Sequence, residues 1–482
     1  MAAHASDAQT SSSASEVLGG EEHSGRALFL LGSVLALGGV LALLSTTLVS
    51  VGIGRLAETF EVPLSTVQWV STAYLLAIAV VIPVAGWAMD RFGEKALWQA
   101  SLAVFLAGCV LTAVAPSVGV LIGARVLQGL GGGLFEPIML TVLARSAGPR
   151  RATIVMSLVQ IPITLAPVFG PMAGGVLIDR LGWEWLFWIN VPFVLLCAVL
   201  AQRSLPADPS RHERATSRLD LTGTVLLPTS LAGLLLGLSQ MTSDGGIASP
   251  VVLVSFGVGT VLLLAYVVHA LRMRGVPLVD VRLFASGRFA ASAVTAFLFG
   301  ASVYGVMFVL PLFFQQAGGF DAWTSGLLLA PQGVGTVLIL PVVSRLVARF
   351  GPRAVVLAGM VLAALGTIAF TQLDPREGTA LLVCSLLVRG IGLGTTLAPA
   401  LSSGFASIAP EDTGRASSAL IASIQLGGSV STAVLAVVVQ QRLAGHAAIT
   451  QAYGGAFWWP LGICVLGAAV AVRLPGRETR AG

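Results

Sequence analysis

The sequence predicts an all-α, polytopic membrane protein of fourteen transmembrane helices in a 6+2+6 order: two pseudo-symmetric six-helix bundles with two helices inserted between them. Three observations carry this. The 482-residue chain is 56% hydrophobic and only 10% charged, far too little charge to cover a soluble protein of that length. Apolar runs of helix length recur from residue 27 to residue 473, each able to cross a hydrocarbon core of about 30 Å. Landmarks of the first half return in the second at an offset of roughly 260 residues, the mark of parallel repeats about an axis normal to the membrane.

Residues 1–25 are polar and Ser/Ala-rich, with no basic segment ahead of an apolar one. They read as a disordered cytoplasmic tail and not as a signal peptide. Apolar segments of roughly 20 residues then begin near Ala27, Thr66, Ala96, Val118, Thr153 and Leu186, giving a first bundle over 26–204. A polar linker that includes "RHERATSRLD" (211–220) leads to inserted segments near Thr222 and Pro250, within 205–287. A second bundle over 288–474 follows, with segments from Ala290, Trp323, Ala354, Thr379, Arg415 and Gly454, and then a cytoplasmic tail, 475–482. The even count puts both termini on one side.

Charge supports the count. With the N-terminus in the cytoplasm, every one of the 27 Lys and Arg residues falls in a cytoplasmic loop or tail except Arg55, Arg180, Arg376 and Arg442 outside and Arg125 and Arg389 within spans. That is the positive-inside rule, and a miscounted span would scramble it. The expected location is therefore the cytoplasmic membrane, multi-pass. The net charge of +5 gives no reason to expect nucleic acid. Cys109, Cys197, Cys384 and Cys464 all lie in apolar segments without ligand spacing; they read as small buried hydrophobes, with no disulfide, metal or cofactor implied.

The repeat has two anchors. "PVAGWAMDRFGEK" (83–95) matches "PVVSRLVARFGPR" (341–353), and "ARVLQGLGGG" (124–133) matches "VRGIGLGTTL" (388–397), each of the latter pair with an intramembrane arginine followed by glycines. In the first string Gly86 permits a close helix approach, while Asp90, Arg91 and Lys95 crowd a tight turn at Gly93. Basic residues alone would serve topology, but a carboxylate and a glycine turn add nothing to it, so a latch that breaks when the halves rock apart is the expectation. In "APVFGPMAGG" (166–175), Gly170, Gly174 and Gly175 with Pro171 leave one helix face nearly bare. Such a face suits backbone-to-backbone packing, and the proline can bend the helix.

These strings together resemble the major facilitator superfamily, and within it the fourteen-helix drug:proton antiporter branch. "GWAMDRFGEK" looks like the family's loop between spans 2 and 3, "LIGARVLQGLGGG" like its span-4 pattern, and "APVFGPMAGG" like its span-5 exporter signature, while "WEWLFWINVP" (183–192) and "QLGGSVSTA" (425–433) are similar to further marks of the branch. The resemblance covers about residues 27–474. It implies proton-driven export of hydrophobic or amphipathic, including cationic, small molecules through alternating access, by a protein that works as a monomer. It also implies that Arg125 organises the proton site. One departure matters: the branch carries an acid in span 1, and this chain reads "LLSTTLVS" (43–50), with Ser45 in the acid's place.

Glu136 is the one acidic residue that falls in a span interior. Holding a charge there costs ~3 kcal/mol or more, so it implies use. Eleven residues from Arg125, it would share that residue's face on a straight helix, ~16 Å away, with Gln128, Gly129 and Gly132 between. Pro137 loosens the helix beside it. Such a glutamate can carry the coupled proton, contact a cationic substrate, or reach for the interface; proton coupling is the expectation. Arg389 has no acid nearby and reads as structural. Cavity candidates are Trp69, Tyr74, Gln128, Gln160, Gln315, Gln332 and Gln425, for which interhelical hydrogen bonding or interfacial anchoring fits equally well. An enzyme would need clustered His, Asp and Glu or a nucleophile with its base, and His269 stands alone in its span. A dedicated exporter of one metabolite or lipid, with altered or absent coupling, is the alternative within the same class.

Overall fold

The computed structural model describes residues 25–208, 220–240, 249–273, 277–320, 322–372, 375, 378–444 and 448–476. The two tails expected at 1–25 and 475–482, most of the linker at 211–219, and Arg376 lie largely or wholly outside them. The helices are α1 (Gly25–Phe60), α2 (Leu64–Val81), α3 (Ala85–Phe92), α4 (Glu94–Ala113), α5 (Val118–Gly132), α6 (Phe135–Leu181), α7 (Trp185–Trp188) and α8 (Asn190–Ser204), then α9 (Leu221–Gln240) and α10 (Pro250–Arg272), and finally α11 (Gly287–Leu312), α12 (Ala322–Ile368), α13 (Thr379–Gly394), α14 (Leu397–Phe405), α15 (Thr413–Ala444), α16 (Ile449–Ala456) and α17 (Trp458–Ala471).

Breaks fall where the sequence supplies a cause. Pro83 has no N–H to continue α2, and Ile82–Val84 tighten into a 3₁₀ turn before α3. The 47-residue helices α6 and α12 each turn back at a glycine of positive φ, Gly148 (φ 63°) and Gly351 (φ 81°). Gly93 (φ 89°) makes the matching turn in the first half, so the repeat seen between 83–95 and 341–353 is a repeat of backbone shape.

Eleven helices among the described residues are long and apolar enough to cross a membrane. One of them, Thr324–Thr371, runs 48 residues through the Gly351 turn, and two further apolar helices, Arg151–Ala166 and Leu221–Leu234, are shorter. The stretch after Gly148 is diluted by Thr, Pro and Gly, and α9 carries an internal proline, Pro228. The protein is thus an all-helical, multi-pass membrane protein, with eleven candidate spans where fourteen were expected.

One apolar cluster joins both bundles and the inserted pair: Trp98, Phe105 and Phe135 from the first, Phe289, Leu401 and Leu420 from the second, Leu231 and Tyr266 from α9 and α10. α9 packs on α10, on α2 and on α15, so the inserted pair touches both bundles. Separate clusters fill the far ends, around Trp183 and Phe187 in one bundle and around Phe313, Phe370 and Phe457 in the other.

Candidate functional site

α5 ends at Gly132, and Gly133 and Leu134, both with right-handed helical φ and ψ, form a tightened turn before α6 begins at Phe135 within the same span. Pro137 fits in the first turn of α6, where its missing N–H has no helical partner to lose. The two charged residues of this stretch have different surroundings.

Arg125 is fully buried inside the first bundle. Its Nε donates to Val70 O at 3.0 Å and its Nη1 to Ser45 Oγ at 3.1 Å and Gln128 Oε1 at 2.6 Å. Gln128 Nε2 donates to the same Ser45 Oγ (2.9 Å) and to Cys109 Sγ (3.0 Å). The guanidinium lies 4.0 Å from the Tyr74 ring centroid, a cation–π contact, and Tyr74 Oη donates to Ala42 O at 2.8 Å. Tyr74 and Gln128, expected to line the cavity, are therefore core residues around the arginine. Arg125 Nη2 is buried with no hydrogen-bond partner, and no carboxylate pairs with the group among the described residues.

The second bundle holds the counterpart arginine that the repeat pointed to, with partners that sequence reading missed. Fully buried Arg389 donates from Nη2 to Ser302 O (2.6 Å) and Oγ (2.9 Å), from Nη1 to Gln332 Oε1 (2.5 Å) and from Nε to Thr367 Oγ1 (3.3 Å). Ser302 also meets Cys464 Sγ at 3.3 Å. Ser302 follows Ser45 at the repeat offset, and Gln332 follows Tyr74 likewise, so the signal lay in extending the repeat to α1 and α2. Gln332, like Gln128, serves an arginine and not a cavity.

Between the bundles is a small cavity of about 40 Å³, lined by Met139, Leu143, Met156 and Gln160 on one side and by Phe299, Thr336 and Leu397 on the other. It has room for a few waters and not for a drug-sized molecule. Gln160 lines it as expected. Glu136 is half-buried and makes no hydrogen bond among the described residues; the neutral phenol of Tyr304 on α11, in the other bundle, is near enough to feel its charge. Gln425 lines a smaller cavity with Ala79, Ile82 and Leu231. Trp69 and Gln315 are exposed and line neither.

The bundles meet tightly at the α3 end. Arg415 Nη2 on α15 donates to Asp90 Oδ2 on α3 at 2.8 Å, both side chains being nearly buried, and its Nη1 reaches Asp412 at 3.1 Å. Gly86 lies against the Arg415 backbone: a Cβ there would come within 3.0 Å of Arg415 Cα. Thr141 and Ser417 hydroxyls meet at 2.7 Å, and Thr153 Oγ1 donates to Ser402 Oγ at 2.9 Å. Glu94 pairs with Arg145, Lys95 turns to α8, and Arg91 is exposed.

In α6, Gly170 and Gly174 press on Thr47 and Leu48 of α1, whereas Gly175 has open space; the Pro171 side chain lies outside the described atoms. Two readings need correction. His269 is not alone: its Nε2 lies 2.8 Å from Asp220 Oδ1, which also accepts from Gly223 N and so caps α9. Cys384 is exposed, unlike the other three cysteines. Among the described residues no three His, Cys, Asp or Glu gather as metal ligands.

Comparisons agree with this architecture. The chain is 36% identical over 408 residues to the Multidrug resistance protein B homolog of Mycobacterium tuberculosis, covering 84% of this chain and 75% of that one. It is 33% identical over 411 residues to the Methylenomycin A resistance protein of Bacillus subtilis, covering 84% and 86%. The proton:xylose symporter XylE has the same fold, at a TM-score of 0.65 and 15% identity over 94% of this chain and 97% of that one. The human organic anion transporter MFSD10 has it too, at 0.64 and 18% over 90% and 99%. A sequence model of the Major Facilitator Superfamily matches residues 35–432, and the chain belongs to that family of transporters.

Proposed function

We propose that this protein exports hydrophobic or amphipathic small molecules, drugs and antibiotics among them, from the cytoplasm by alternating access, in exchange for protons. Relatives that cover most of the chain are named for multidrug and methylenomycin resistance, and the cavity between the bundles is lined mainly by apolar side chains with an amide, Gln160, in its wall. Fourteen crossings are reached by dividing Thr324–Thr371 at Gly351 and adding the two shorter apolar helices to the eleven candidates. With both termini cytoplasmic, the α3 end faces the cytoplasm, and the Asp90–Arg415 pair is the latch that holds that side shut. A monomer in the cytoplasmic membrane is the working unit, as is typical for the family.

The observation that carries the coupling is the place of Glu136. It is a half-buried carboxylate at the interface that must open and close, without a hydrogen-bond or ion-pair partner among the described residues. In proteoliposomes with an imposed pH gradient, wild type is expected to drive dye efflux and Glu136→Gln to lose that drive while still binding dye. If the glutamine variant pumps like wild type, Glu136 does not carry the proton.

A second reading has its own observation. Ser45 stands where the branch has an acid, and it serves Arg125 as a neutral hydrogen-bond acceptor. That arrangement favours a dedicated exporter of one metabolite or lipid with altered or absent coupling. Several unrelated dyes in the same assay separate the two, since a dedicated exporter moves none of them.

A further inference from the structure

The turn between α3 and α4 performs two tasks. Its first residues reach across to the other bundle, where Asp90 meets Arg415 at 2.8 Å. Its last residues begin α4, whose N-cap is Gly93, a residue with no side chain to accept from the first-turn N–H groups. That cap is supplied from far along the chain. Asp208, just beyond α8, accepts from Lys95 N through Oδ1 and from Ala96 N through Oδ2, both at 2.9 Å. Lys95 returns the contact, its Nζ donating to Gln202 O at 2.6 Å and to Leu205 O at 3.5 Å at the end of α8. The carboxylate fills the space that Gly93 leaves, since a Cβ at Gly93 would lie 2.3 Å from Asp208 Cγ.

The other bundle supplies the contrast. At the matching turn, Gly351 also has positive φ, but the tie to the end of α17 is one backbone bond, Arg353 N to Pro475 O at 3.3 Å. No ion pair from that turn crosses to the first bundle among the described residues. The bidentate carboxylate thus occurs at the turn that carries the cross-bundle pair, three residues from Asp90. A pair that must re-form each time the bundles close needs its carboxylate presented at a fixed place and angle, because a loosely held side chain loses the bond's advantage to entropy.

We propose that Asp208 is a positioning residue of the gate: by clamping residues 93–96 to the end of α8, it presents Asp90 to Arg415 and so sets how strongly the cytoplasmic side stays closed. This rests on the reading of Asp90–Arg415 as the cytoplasmic latch. Asp208 touches no substrate and acts through Asp90.

The test measures spin-label distances in the full chain in liposomes, with labels at exposed Arg151 on one bundle and exposed Glu411 on the other, and Cys384→Ala to remove the exposed native thiol. Asp90→Asn should move the distribution to longer distances. Asp208→Asn, which keeps one acceptor oxygen, should give the same shift, raising the open fraction about fivefold, the low end of typical coupling between sites. Asp208→Glu should restore the short distance, and the double variant should open no further than Asp90→Asn alone. A shift with Asp90→Asn but none with Asp208→Asn overturns the proposal and leaves the latch intact; so does a double variant whose effect is the sum of the two. No shift with Asp90→Asn overturns the latch itself, and the proposal with it. Should Asp208→Asn fail to reach the membrane, Lys95→Met removes the α8 bonds from the same turn, and a wild-type distribution there overturns the proposal.

Discussion

Gly86 offers a steric test of alternating access that acts on one state alone. A Cβ at this position lies 3.0 Å from Arg415 Cα and 3.1 Å from Arg415 N. Both are backbone atoms of the facing helix, so no side-chain rotation relieves the contact, and α3 and α15 must separate. Overpacking of this kind costs about 1–3 kcal/mol, and a valine, with two further methyls, belongs at the upper end. The contact exists only where the bundles are closed at this end, so the cost falls on the closed state and not on each bundle's own fold. At 1.4 kcal/mol per factor of ten, Gly86→Val should shift the closed–open equilibrium roughly 5- to 150-fold toward open. Gly86→Ala should shift it less. The Arg151–Glu411 spin-label distance reads the shift, and efflux should fall with it. Gly123, which has open space at its Cβ position, provides the control, Gly123→Val. Wild-type distances in Gly86→Val would falsify the closed interface described above.

Two further outcomes follow from packing and hydrogen bonding. Gly170→Ala puts a Cβ 2.1 Å from Thr47 Oγ1 and 2.8 Å from Thr47 Cβ, and should lower stability by about 1–3 kcal/mol; Gly175→Ala meets nothing and should be neutral, the two being compared by thermal unfolding in detergent. Ser45→Ala removes the acceptor shared by Arg125 and Gln128 and should cost about 1–3 kcal/mol, while Ser45→Asp, whose carboxylate can also engage the unpartnered Nη2, should fold; equal melting temperatures for Ser45→Ala and wild type would mean that the shared hydroxyl contributes nothing.

Much of the architecture was readable because lipid imposes simple rules on composition. Apolar length located most of the helices, and Gly93 and Gly351 marked equivalent turns. What escaped was which way polar side chains point. For Tyr74, Gln128 and Gln332 a cavity, which amides and phenols in apolar helices suit, and interhelical hydrogen bonding fit the sequence equally well. They surround Arg125 and Arg389, since a buried guanidinium needs acceptors and takes the nearest ones on neighbouring helices. Pairs made across long separations, Asp220 with His269 or Asp208 with the start of α4, leave no periodic trace in the chain. The turn at Gly133–Leu134 was equally hidden, although three glycines and a proline stand around it.

Arg125 and Glu136 have different surroundings. On a straight helix they would share a face, though ~16 Å apart. Arg125 lies in the core of a single bundle, where its hydrogen-bond partners are neutral, while Glu136 is near enough to Tyr304 of the second bundle to act on it electrostatically. A guanidinium does not give up its proton in a protein, and the Ser45, Gln128, Ser302 and Gln332 side chains that accept from the two arginines or line their clusters are not acids. Both clusters tie helices together inside a bundle and suit a body that moves rigidly. On the proposal that Glu136 carries the proton, opening of the bundles would change its access to water. Coupling at Glu136, as proposed, would then need no rearrangement within either bundle, only the rocking that the proposed Asp90–Arg415 latch would restrain.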